Sequence, residues 1–190
     1  DSDELAFLQL DQRGVPEWTL VDGVPANPTV EKGRYPRPGE ENPKARLGLV
    51  PVTRPEVRWV DLTRYSMEEP LIVDVAWLDA NNVSFQVQDR EQTWLELCTA
   101  RASELAPKLL VREESRAWVN ANGSPKRLSD GSFLWFSERT GWKHLYHLAA
   151  DGSLIAPVNS GEYEVRSLHG VDEAQGWVNF SGTEKSHGET

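Results

Sequence analysis

A single cysteine, Cys98, occurs in 190 residues, so no internal disulfide can staple this chain. No apolar run approaches the roughly 20 residues a helix needs to cross a bilayer. Lys and Arg number 20 against 30 Asp and Glu, which leaves a net charge of −10. A surface of that sign repels the phosphate backbone and argues against nucleic acid as a partner. No G-x-S-x-G occurs, so the strand-to-helix elbow of an α/β-hydrolase nucleophile is missing. The four histidines are His144, His147, His169 and His187, and none has a metal-ligand spacing. His144 and His147 differ by three along a strand pattern and point to opposite faces. Neither a metal nor a cofactor is expected. No sustained helical periodicity appears, so Tyr65–Glu69 and Arg101–Lys108 are expected to form single turns at most. The chain opens on Asp1 with no initiator methionine and no signal peptide, and reads as starting at a processing boundary.

What the sequence does have is short strands and tryptophan. Gly131–Leu154 shows the pattern best. Ser132–Ser137 carries Phe133, Leu134, Trp135 and Phe136 in a row, which suits a strand buried on both faces. Glu138-Arg-Thr-Gly141 breaks the run with a polar turn, and Trp142–Leu148 is the second strand. Asp151-Gly152 reads as a two-residue hairpin turn with positive φ at both residues, and Ser153–Val158 returns.

The same shape recurs at Glu4–Trp18, at Val83–Trp94 and from Gln175 onward. The later copies lie roughly 40–50 residues apart, the period of four-stranded propeller blades. One blade cannot bury its own faces, so blades stack around an axis. The expected class is all-β, a partial β-propeller of four-stranded antiparallel blades forming one domain. A β-sandwich with similar strands is the alternative. The expected units are a partial blade with a long insertion over 1–70, whole blades over 71–112 and 116–158, and a partial blade over 163–190.

Within the first unit, Leu5–Leu10 and Trp18–Val21 read as a hairpin turning at Arg13-Gly14. Gly23–Lys44, with five prolines, reads as an irregular insertion and not a strand pair. Ala45–Val52 and Val57–Leu62 read as strands. The second unit takes strands at Leu71–Leu78, Val83–Gln88, Thr93–Thr99 and Pro107–Arg112. The third opens with Arg116–Asn120 as its innermost strand and Ala121–Arg127 as a loop. Tyr163–Val171 and Gly176–Ser181 start the last unit, followed by a turn from Gly182. Most of the eight tryptophans recur at matching places and read as core. Cys98 reads as a small buried hydrophobe.

Two stretches resemble a known family. Ser137-Glu-Arg-Thr-Gly-Trp-Lys-His-Leu-Tyr146 is similar to the blade signature of dipeptidyl peptidase IV and its bacterial relatives, in the prolyl oligopeptidase clan. Tyr35-Pro-Arg-Pro-Gly-Glu-Glu-Asn-Pro-Lys-Ala-Arg-Leu-Gly48 resembles that family's tyrosine-proline-lysine, glycine, asparagine-proline segment. Val15–Leu20 and Val73–Leu78 also fit in order, and the resemblance covers essentially all 190 residues.

The resemblance implies a section of an eight-bladed propeller that caps a separate α/β-hydrolase domain. In that family the enzyme removes dipeptides from peptide N-termini. The propeller restricts access and supplies a glutamate pair that holds the substrate ammonium. That pair and the family's substrate-contacting arginine lie in segments ahead of Glu4. Glu40-Glu41, Glu68-Glu69 and Glu113-Glu114 are read as solvated pairs. The segment after Trp118, Val119–Arg127, aligns with one bordering the substrate cavity, without the aromatic some members place there.

No catalytic, cofactor-binding or metal residue is assigned, and substrate contacts stay unknown. The partners implied are the hydrolase domain and a peptide substrate. Exposed blade edges also leave room for a homo-oligomer. The resemblance implies a periplasmic or secreted parent. A stand-alone propeller-like module that binds protein or peptide is the competing reading. Asn82-Val-Ser84, Asn122-Gly-Ser124 and Asn179-Phe-Ser181 match the glycosylation acceptor pattern.

Overall fold

A computed structural model describes residues 3–65 and 70–183. Glu68-Glu69, His187 and the turn after Thr183 lie outside them. The described residues contain strands and one 3-10 turn, Thr63–Tyr65, and no α-helix. The strands are β1 (Glu4–Asp11), β2 (Glu17–Asp22), β3 (Thr29–Arg34), β4 (Lys44–Pro51) and β5 (Arg58–Trp59). There follow β6 (Leu71–Trp77), β7 (Asn82–Gln88), β8 (Trp94–Arg101), β9 (Pro107–Glu114) and β10 (Lys126–Arg127). The last five are β11 (Phe133–Ser137), β12 (His144–Leu148), β13 (Leu154–Pro157), β14 (Val165–Asp172) and β15 (Trp177–Gly182).

Four sheets follow one another in sequence order, all antiparallel. The first has the order β1-β4-β5, the second β6-β7-β8-β9, the third β10-β11-β12-β13 and the fourth β14-β15. The β2-β3 hairpin stands as a separate two-stranded sheet inserted into the first. The two four-stranded sheets are meanders, as their tight turns dictate.

Period-two alternation places the core. On β7, Val83, Phe85 and Val87 face the first sheet and join Leu47, Leu49, Cys98 and Ala100. Leu95 and Leu97 of β8 face the other way and meet Leu110, Val111, Phe133, Trp135, Tyr146 and Leu148. Leu134 and Leu145 point away from that cluster and pack with Val165, Leu168 and Phe180 of the fourth sheet. Three apolar layers therefore alternate with the four sheets, which is the stacking of propeller blades. Each fully buried Leu or Phe in them contributes about 1.5–3 kcal/mol.

Several sequence expectations need correction. β1 does not pair with β2; Glu4–Asp11 runs antiparallel to Lys44–Pro51, and Glu17–Asp22 pairs with Thr29–Arg34. The proline-rich insertion thus contains a regular strand. Its Pro25 and Pro28 fall in the hairpin's tip and Pro36, Pro38 and Pro43 after β3, so none removes a ladder hydrogen bond. Arg116–Asn120 is not a strand, and the innermost strand of the third sheet is Lys126–Arg127. At Asp151-Gly152 only Gly152 has positive φ, 91°. The Gly152 amide donates to Ala149 O at 2.9 Å, so the turn is Ala149–Gly152, followed by a bulge on β13 where Ile155 has no partner on β12. Of the tryptophans only Trp135 is fully buried; Trp118 and Trp177 are more than half exposed. A repeated position explains a recurring residue, but blade rims repeat as faithfully as blade cores.

Candidate functional site

The alternation that fills the core leaves three polar side chains on the opposite face of β7. Ser84, Gln86 and Gln88 are 2% exposed or less. Buried amides must be hydrogen-bonded. Gln88 Nε2 donates to Val119 O at 2.6 Å, and Gln86 Nε2 to Gly123 O at 2.8 Å and Asp74 Oδ2 at 3.1 Å. Both carbonyls belong to Ser115–Pro125, the irregular strap from β9 to β10. Further ties are Val119 N to Gln92 O at 2.6 Å, Ser124 Oγ to Asp74 Oδ2 at 2.5 Å and Asn120 Nδ2 to Glu138 Oε1 at 3.1 Å. The strap has no ladder partner, yet it is fixed along its length by side groups from behind.

Beside it lies a recess of about 230 Å³, lined in part by Glu113, Trp118, Asn122, Glu138 and Arg139. Glu113, read from the sequence as solvated, is 9% exposed. It accepts from Trp135 Nε1 at 3.0 Å, Ser137 Oγ at 2.8 Å and Arg139 Nη2 at 2.9 Å. The Arg139 guanidinium lies over the Tyr146 ring, 4.6 Å from its centroid. Strand parity explains the correction: Glu113 shares its face of β9 with Val111, which is core. Its neighbour Glu114 is exposed and pairs with Arg112 at 2.6 Å. Because Glu113 is consumed by three donors, the recess offers the carboxylates of Glu114 and Glu138, an amide and an indole face. Such a lining can hold a ligand but activates no nucleophile.

A second buried carboxylate, Glu96, ties the first sheet's connection to the second. It is 1% exposed and meets Tyr65 OH at 2.5 Å, Arg112 Nη1 at 2.6 Å and Arg64 Nη2 at 3.1 Å. Burial, then the hydrogen bonds to Cys98 and Glu96, raises the Tyr65 phenol well above its ordinary range. Cys98 Sγ lies 3.3 Å from Tyr65 OH, and burial raises the thiol as well. Cys98 is therefore expected to resist a disulfide reagent such as DTNB in the folded protein and to react once urea unfolds it. Stoichiometric labelling under native conditions would show that the sheet opens there.

Glu40-Glu41 splits in the same way. Glu40 accepts from the Arg37 backbone amide at 2.9 Å and from its guanidinium at 3.0 Å, which holds its carboxyl below the usual range. Arg37 in turn stacks on Trp18 at 3.6 Å. The Tyr35–Gly48 motif thus begins as a latch on the β2-β3 hairpin, and Glu41 stays exposed. His144 is buried, with Nε2 donating to Gly161 O at 3.0 Å and Nδ1 accepting from Asn159 Nδ2 at 2.6 Å. His147, on the other face of β12, contacts Ser132 Oγ at 2.7 Å. Ser132 also bonds Asp130, so the serine sits between acid and imidazole. A catalytic triad needs the imidazole between the other two. Among the described residues no three His, Cys, Asp or Glu side chains are placed to hold a metal ion. None of their helices is long and apolar enough to cross a membrane.

Comparison with known proteins matches this architecture from end to end. The sequence model of the dipeptidyl peptidase IV (DPP IV) N-terminal region matches residues 1–190. The chain belongs to this family. Dipeptidyl peptidase 4 of Arthroderma otae is 25% identical over 203 residues, covering 100% of this chain and 26% of that protein. Dipeptidyl peptidase 4 of Trichophyton rubrum is 24% identical over 203 residues, again covering 100% and 26%. The crystal structure of Porphyromonas gingivalis dipeptidyl peptidase 4 superposes with a TM-score of 0.86 at 26% identity, over 97% of this chain and 26% of that one. This dipeptidyl peptidase IV N-terminal-region chain is thus a partial β-propeller and spans about a quarter of the length of the curated relatives it matches.

Sequence reading passes over Gln86 and Gln88 and places Glu113 in solvent. A signal for the glutamines was present: two amides alternate with Val83, Phe85 and Val87 in a run whose other face is core. Glu113 carried no such signal, because its partners Trp135, Ser137 and Arg139 come from another blade.

Proposed function

We propose that this chain is a non-catalytic section of the propeller of a dipeptidyl peptidase IV-like serine exopeptidase. In the intact protein it forms part of the wall that gates and shapes the substrate cavity. A separate α/β-hydrolase domain removes the N-terminal dipeptide. Residues 71–112 and 116–158 act as whole blades, and 1–70 and 163–190 as parts of their neighbours. The parent works in the periplasm or outside the cell.

The observation that carries this reading is the end-to-end superposition on a quarter of a dipeptidyl peptidase 4. The strap and recess support it. They form a polar surface anchored from behind and without an activated nucleophile, which suits a wall better than a hydrolytic centre.

The test is turnover of Gly-Pro and Ala-Pro p-nitroanilides by the full-length protein and by the 190-residue chain alone. The full-length protein is expected to release the chromophore, with the serine reagent diisopropyl fluorophosphate abolishing it. The short chain is expected to match the buffer control. An inert full-length protein, or activity in the short chain, overturns the proposal.

A further inference from the structure

We propose that Asn122 is a site of self-modification, where the strap converts from asparagine to a mixture of aspartate and isoaspartate. Asn122 is the one asparagine of the eight in this chain that is followed by glycine. Asn27 and Asn42 precede proline, which has no amide nitrogen to react. Asn82, Asn120 and Asn159 are held by side-chain hydrogen bonds, to Asp79, Glu138 and the His144 ring. Among the described residues nothing bonds the Asn122 amide, and nothing accepts from the Gly123 N–H. Gly123 has φ 79°, and a β-carbon there would meet nothing within 4 Å. No side chain on Gly123 shields its nitrogen from the Asn122 amide, and the strap has no strand pairing there, being anchored through Val119 O and Gly123 O.

The reaction needs only water. The Gly123 nitrogen attacks Cγ of Asn122 and forms a C–N bond. The Cγ–Nδ2 bond of the asparagine amide breaks, and ammonia leaves with the proton from the Gly123 nitrogen. Water then opens the cyclic imide at either carbonyl, giving aspartate or isoaspartate. Either product adds a negative charge to a recess that already holds Glu114 and Glu138. The isoaspartate route also lengthens the backbone between Val119 and Gly123. Those are the two points where the buried Gln88 and Gln86 grip the strap. The modified strap must then lose or stretch one of these bonds. This inference stands apart from the proposed function, because it concerns the chemistry of the strap alone.

The protein is incubated folded at mildly alkaline pH and body temperature, then digested with trypsin. The peptide spanning 117–126 is expected to gain about one dalton, the difference between amide and acid, in two chromatographic forms. Fragmentation should place the gain at Asn122, with Asn120 in the same peptide unchanged. Asn122→Gln should remove both forms. Three results overturn the proposal: equal conversion at Asn120, conversion at Asn122 only after unfolding in urea, or a glycan at Asn122.

Discussion

Gly152→Ala is expected to destabilise the protein by roughly 3 kcal/mol or more, against roughly 1–2 kcal/mol for Gly141→Ala. The two glycines are matched in backbone, with φ of 91° and 93°. Both close polar turns of the third sheet, so the left-handed penalty for a β-carbon is common to them. Their surroundings differ. A β-carbon on Gly141 meets nothing within 4 Å, whereas one on Gly152 falls 1.9 Å from Leu110 O and 2.9 Å from Leu110 Cα. Leu110 lies on β9, in the middle of the second sheet's outer strand. The turn of one blade therefore rests on the backbone of the next, and a backbone has no rotamer by which to move aside. The clash must separate the two sheets locally and loosen the layer that holds Leu110, Val111, Phe133 and Trp135. Urea unfolding of both variants measures the difference. Equal losses in midpoint would mean that the blades are not in register at this contact.

This contact also marks where sequence reading stopped. Tight turns and alternating runs gave the second and third sheets almost strand for strand, because meander pairing is local. β6 to β9 follow the expected order, with ends displaced by a residue or two. The first sheet was misread because its pairing is not local. β1 reaches past the inserted hairpin to β4, and nothing in Leu5–Leu10 announces a partner about 40 residues away. The strap was misread for a different reason. Trp118 and Val119 look like a strand start, but the backbone partners of Val119 are the Gln88 side chain and the carbonyl of Gln92. Pairs of like residues were equally deceptive. Glu113 and Glu114 differ by one step along a strand, and that step separates a core position from a solvated one.

The double variant Arg64→Met with Arg112→Met is expected to cost about 3–5 kcal/mol, more than the roughly 1–3 kcal/mol of Glu96→Gln. The asymmetry follows from where the charges sit. The Glu96 side chain is 2% exposed, whereas Arg64 and Arg112 are 45% and 41% exposed. Removing the acid releases two cations that can reach water. Removing the cations strands a carboxylate among Tyr65, Trp94 and Cys98, with only the phenol to support it. Methionine keeps the apolar stems over the Tyr65 and Trp94 rings, so packing is held nearly constant. Urea unfolding midpoints of the parent, the double variant and Glu96→Gln at neutral pH measure the difference. A small deficit for the double variant would mean that Glu96 finds water without its arginines, and that the joint between the first two sheets is open where the structure has it closed.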